Sequence, residues 1–220
     1  MTETAPKLPT PTLMLVTDRH LVGGLDTLVR AVTEAIDGGV NVVQLREKDL
    51  PAAELLPLAC RLRKVTAGRA RLLVNGPLDV TLEAGADGVH LPEDAETIER
   101  PSPGFVVGRS VHSLEAARRA VEEGVDYLVA GPVYETASHP GRPAVGLEII
   151  RKVVSISDVP VIGIGGITAE NAPAVLDAGA SGVAVISAIL GAAAPAGRAA
   201  ALWSALASPR PPVNSSLQEI

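Results

Sequence analysis

At 220 residues, 47% of them apolar but only 2% aromatic, the chain can bury one domain-sized core, which Val, Ile, Leu and Ala must build; two ordinary domains and a linker would not fit. A formal charge of −6 supplies no basic field, which excludes nucleic acid and anionic membrane surfaces as partners. A single cysteine, Cys60, excludes an intrachain disulfide.

The first eleven residues, with Pro6, Pro9 and Pro11, predict a flexible leader (1–11) that resembles no signal peptide, and no apolar run reaches membrane-spanning length. A cytoplasmic protein is therefore expected. From there an apolar run, Leu13–Thr17, predicts a first strand, followed by Asp18, Arg19 and a loop histidine, His20. A helix ending at Gly38–Gly39 then runs into a second strand, Asn41–Leu45. Cys60, among Leu58, Ala59 and Leu62, reads as a small core side chain of the next helix. Further strands are predicted at Arg71–Val74, Asp87–Leu91, Phe105–Ser110, Asp126–Ala130, Val159–Ile164 and Ser181–Ile186. The junction of helix, glycine and buried strand recurs at Gly39, Gly85, Gly124 and Gly179, at intervals too long for one βα unit and right for two. Helical patterns fill the gaps, for example Leu114–Glu123, and Ala169–Ala178 behind a Thr168 cap. Eight βα units in about 200 residues favour a closed (β/α)8 TIM barrel over 12–207, a single α/β domain, with 208–220 a flexible tail rich in proline.

Barrel active sites form where the strands end, so those ends supply the candidate residues. Gln44 and Arg46 alternate inward on the second strand, and Arg46 with Lys48 can hold a phosphate or carboxylate; the competing reading pairs them with Glu47 or Asp49 on the rim. Asn75 ends the third strand. His90 ends the fourth and is expected to be a hydrogen-bonded core side chain, whereas His112, just beyond Ser110, is placed for acid–base work. The long loop from Pro132 to Gly146 reads as a lid, in which Thr136, Ser138 and Arg142 can close over an anion and His139 offers a second proton carrier. After the seventh strand, Gly163–Gly166 brings backbone N–H groups close to an anion, and with Ile186 and Ser187 it makes Gly165 and Gly166 a phosphate site. No zinc spacing and no Ser-His-Asp arrangement is legible; Asp18, Glu47, Glu93 and Asp94 are the carboxylates close enough to a strand end to hold magnesium.

Four of these segments, Val43–Lys48, Gly108–Ser113, Gly131–Thr136 and Gly163–Ile167, resemble the thiamine-phosphate synthase/TenI superfamily, and the likeness runs from Leu13 to Leu206. The resemblance implies a barrel of thiamine biosynthesis acting on a small phosphorylated thiazole, with homo-oligomers common. Synthases of that family couple hydroxymethylpyrimidine diphosphate to thiazole phosphate with magnesium. Their Asn-Asp after strand 3 is Asn75–Gly76 here, their Gly-Gln-Glu-Asp is Leu91–Asp94 with only Asp94 matching the second metal carboxylate, and their Thr-x-Thr-Lys is Thr136–His139. These departures imply the TenI branch, a metal-free tautomerase that aromatises the thiazole phosphate carboxylate. In that reading Arg46 and Lys48 hold the carboxylate and His112 or His139 moves the proton, since Pro132 stands where that branch has its histidine. The synthase with magnesium, and a binding protein without turnover, are the alternatives.

Overall fold

The computed structural model describes residues 8–136 and 144–208. Eight short strands run β1 (Thr12–Val16), β2 (Val42–Leu45), β3 (Arg71–Val74), β4 (Gly88–Leu91), β5 (Val106–Val111), β6 (Tyr127–Ala130), β7 (Val161–Ile164) and β8 (Gly182–Val185). They pair in parallel in chain order and close, with Leu13 of β1 opposite Val183 of β8. Each observed strand lies within a residue or two of its expected bounds. Aliphatic residues bury almost every strand position because one face lines the barrel and the other meets helices, as in parallel sheets generally. The four glycines of the repeated junction, Gly39, Gly85, Gly124 and Gly179, all have positive φ, from 63° to 111°. A left-handed residue ends a helix abruptly, and glycine takes that conformation without a Cβ clash.

Helices α1 (Leu25–Asp37), α2 (Ala52–Thr66), α3 (Leu78–Glu83), α4 (Leu114–Glu122), α5 (Gly146–Val154), α6 (Ala172–Asp177), α7 (Ser187–Leu190) and α8 (Pro195–Ala207) surround the barrel. Two expectations fail. The crossover from β4 to β5 contains no helix: Pro92 at its start and Pro101 and Pro103 towards its end, none of which has a backbone N–H to donate, leave only residues 93–100 between them. Arginines satisfy its carbonyls instead. Arg109, 3% exposed, donates from Nη1 to the carbonyls of Ala95 (2.6 Å), Glu93 (3.2 Å) and Pro92 (3.3 Å), and its Nη2 meets Glu123 at 2.8 Å. Arg100 ties the far end to the Phe105 carbonyl and the Asp126 carboxylate. The second failure is the Thr168 cap: α6 begins only at Ala172, and the Asn171 side chain accepts from the Thr168 N–H at 2.8 Å. Pro173 suits the first turn of a helix, so the helix starts beside it and the preceding residues make a turn.

At the lower rim Asn41 bridges the Leu13 N–H and the Pro11 carbonyl, and Leu8 is buried against the core. Among the described residues no helix is long and apolar enough to cross a membrane.

Candidate active site at the barrel mouth

Below the mouth the barrel interior is polar. Gln44, 2% exposed, donates to the Met14 thioether at 3.6 Å. His90, also 2% exposed, sits between the Tyr127 hydroxyl on Nδ1 and the Ser110 hydroxyl on Nε2, both at 2.8 Å. The Tyr127 ring fits because Gly108 lies directly opposite it in register, and a Cβ on Gly108 would overlap ring atoms Cε1 and Cζ. Burial, aided by the positive charges of Arg46 and Arg109, holds the His90 imidazole down to about 3. The expectation of a hydrogen-bonded core histidine therefore agrees with its surroundings.

A stability consequence follows from that neutral imidazole. The unfolded chain takes up a proton there below about 6.5 and the folded chain does not, so stability present above that pH is lost as pH falls. Lowering the pH from 7 to 5 is expected to cost about 2 kcal/mol through His90 alone. Urea unfolding at the two pH values checks this, with His90→Asn as the control in which that component disappears.

Arg46 follows β2 and is half-buried. Its backbone N–H donates to Thr17 Oγ1 at 2.9 Å, while its guanidinium donates to no described residue. Desolvation lowers its proton affinity, opposed by the charges of Asp18 and Glu47. The rim carboxylates are taken by a different residue, Arg19, which forks onto Asp49 with two contacts of 2.6 Å and meets Glu47 at 3.1 Å. That fork holds the Asp49 carboxyl far below the usual range. The competing reading, an Arg46 pairing with Glu47 or Asp49, thus gives way to Arg19, because the buried Glu47 carboxylate also accepts the Arg19 backbone N–H. Lys48 is exposed on the same turn, Asn75 is partly buried at the end of β3, and His20 contacts Asp49 at 3.3 Å.

Across the mouth a cavity of about 220 Å³ is lined by Gly165, Gly166, Ile186, Ser187, Thr136 and His112, among others. Gly165 (φ 103°) and Gly166 (φ 63°) lie against the loop after β6, where the Val133 and Tyr134 N–H groups donate to the carbonyls of Ile164 and Gly165. The N–H groups of Gly165 and Gly166 donate to no described residue, which leaves them for an anion. His112 joins this wall with Glu93 behind it: one carboxylate oxygen accepts both the His112 backbone N–H (2.5 Å) and Nδ1 (2.8 Å). Ser138, His139 and Arg142 lie outside the described residues.

Of the residues that sequence reasoning singled out, Gly165, Gly166, Ile186, Ser187, Thr136 and His112 do meet at one cavity, and three supporting residues were missed. Glu93 was noted only as a metal carboxylate. Tyr127 carried a usable signal, a bulky ring opposite a glycine in a chain almost without aromatics. Arg109 gave none, since nothing local tells a buried arginine from an exposed one.

The family profile described as thiamine monophosphate synthase matches residues 13–189. The thiamine-phosphate synthase of Haloarcula marismortui is 44% identical, over 87% of this chain and 95% of its own. That of Methanoculleus marisnigri is 42% identical, over 81% and 87%. A solved thiamine phosphate pyrophosphorylase from Pyrococcus furiosus superposes with a TM-score of 0.77 at 36% identity, covering 89% of this chain and 95% of that one. These relatives overturn the tautomerase reading, since they carry the synthase name. Pro132, which stands where the tautomerase branch has its histidine, packs against Gly165, where a Cβ would stand 2.7 Å from the proline ring, so this position shapes the glycine loop after β7. The chain belongs to the thiamine monophosphate synthase family, enzymes of thiamine biosynthesis.

Proposed function

We propose that this chain couples hydroxymethylpyrimidine diphosphate to a thiazole phosphate and releases diphosphate. The observation that carries the reading is that one mouth offers two separate places for negative charge, the glycine-lined cavity and the half-buried guanidinium of Arg46. A reaction joining a monophosphate to a diphosphate ester needs both. Gly165, Gly166, Ile186 and Ser187 hold the thiazole phosphate through backbone N–H groups, with His112 and Thr136 on the cavity wall. Arg46, Lys48 and Ser110 hold the diphosphate, and Gln44 and Asn75 line the pyrimidine pocket. As the bond from the pyrimidine methylene carbon to the leaving oxygen breaks and a bond to the thiazole forms, charge gathers on the diphosphate, and fixed cations there stabilise it more than the ground state.

The described residues gather no cluster of three metal-ligating side chains. A magnesium ion commonly takes one or two carboxylates and completes its shell with water and substrate phosphate oxygens. Asp94, exposed and three residues beyond β4, suits that partial donor set, and Asn75, which follows the adjoining β3, offers a neutral amide oxygen at the same end of the barrel. When bound, magnesium would neutralise charge on the leaving diphosphate. Incubating the protein with both substrates is expected to yield thiamine phosphate only when magnesium is present. Absence of product at high enzyme concentration with magnesium would overturn the reading.

A further inference from the structure

We infer that Tyr127, acting through His90, sets the direction of a buried hydrogen-bond chain so that Ser110 presents its hydroxyl proton to an anionic oxygen at the barrel mouth. The inference rests on the reading of Ser110 as a substrate contact and adds to it two positioning residues and a polarity. A neutral imidazole has one donor and one acceptor nitrogen, so a Tyr–His–Ser chain can run in either of two directions. The Tyr127 hydroxyl decides between them. It is buried, and among the described residues its hydrogen-bond partner is His90 Nδ1. If Tyr127 accepted from Nδ1, its own O–H would be a buried donor without a partner; if it donates, only a lone pair goes unused. Burial keeps both groups in the forms this requires, the phenol protonated and the imidazole neutral. Nδ1 then accepts, Nε2 carries the proton, and Nε2–H donates to Ser110 Oγ at 2.8 Å.

Ser110 is therefore left with a free O–H just inside the end of β5. Arg46 lies close enough to His90 for its charge to be felt there, so donor and cation converge on one region. That combination favours an unprotonated phosphate oxygen and disfavours an amine or any other donor. Tyr127 and His90 touch no ligand in this arrangement; they act by denying Ser110 the alternative of donating inward.

Nitrogen-15 spectra of histidine-labelled protein read the tautomer directly, and the chain contains only four histidines to assign. His90 is expected as the Nε2-protonated form in the wild type, and to lose that preference in Tyr127→Phe. An Nδ1-protonated His90 in the wild type would overturn the inference, whether or not the variant folds. Affinity for inorganic diphosphate supplies the second readout. Ser110→Ala is expected to weaken it about tenfold and Tyr127→Phe about fivefold, with the double variant no weaker than Ser110→Ala. Independent, multiplying losses would show that Tyr127 does not act through Ser110. Unchanged affinity in Ser110→Ala would instead sink the reading of Ser110 as a ligand contact, a result distinguishable from a wrong tautomer.

Discussion

Arg46→Met is expected to leave the barrel at least as stable as the wild type while lowering kcat/KM for thiamine phosphate formation about 100-fold. The two halves of that expectation come from the same observation. Desolvation dominates the environment of the Arg46 guanidinium, and no described residue accepts a hydrogen bond from it. The folded protein therefore bears a cost for keeping a partly desolvated cation at this position, and an apolar chain of similar length removes the cost. What methionine cannot do is meet the negative charge that grows on a departing diphosphate. Arg46→Lys should recover only part of the loss, since a point charge does not reproduce a planar fork. Thermal unfolding alongside steady-state kinetics separates the outcomes. A variant that lost activity and stability together would mark Arg46 as a structural residue of the rim and remove the cation from the proposed diphosphate site.

Gly108→Ala should have the opposite signature, a loss of stability of about 3 kcal/mol that precedes any question of chemistry. A methyl group there would overlap the Tyr127 ring, and that ring is fully buried, so it can yield only by displacing packed neighbours. Moving it would also break the 2.8 Å contact to His90 and leave a buried imidazole nitrogen unpaired. For a chain of this size such a loss lowers Tm by roughly 6–12 °C, easily seen by calorimetry. Gly108→Ala combined with a smaller residue at position 127 should recover most of the stability but not the His90 tautomer. A single variant as stable as wild type would mean that the opposed Gly108 and Tyr127 are not packed as described.

The family's two branches illustrate how a substitution can mislead. Gly76 in place of the synthases' aspartate pointed towards a metal-free proton transfer, although Pro132 replaces that branch's own histidine, and the relatives at 41–44% identity are named synthases. Pro132 has a packing role against Gly165, and that role is invisible until β6 and β7 are laid side by side. Gly76 has less to say, since a Cβ there would meet the ends of the Leu55 and Val74 side chains and no backbone atom.

Local chemistry was enough to make most of the barrel legible. Each strand is a short aliphatic run, and each repeated helix end is a glycine with positive φ, so eight strands and their order could be read from residues adjacent in the chain. The same holds for Gly165 and Gly166, whose place after β7 made them phosphate candidates. Partnership across the barrel was another matter, because it depends on which side chains meet after closure. That His90 lies between Tyr127 and Ser110, that Glu93 stands behind His112, and that Arg19 rather than Arg46 takes the rim carboxylates are contacts between residues 19 to 37 positions apart. The helix-free crossover is the clearest case: its prolines shorten the stretch that a helix could occupy, but only the closed barrel brings Arg109 beneath it to satisfy the carbonyls that a helix would have satisfied itself.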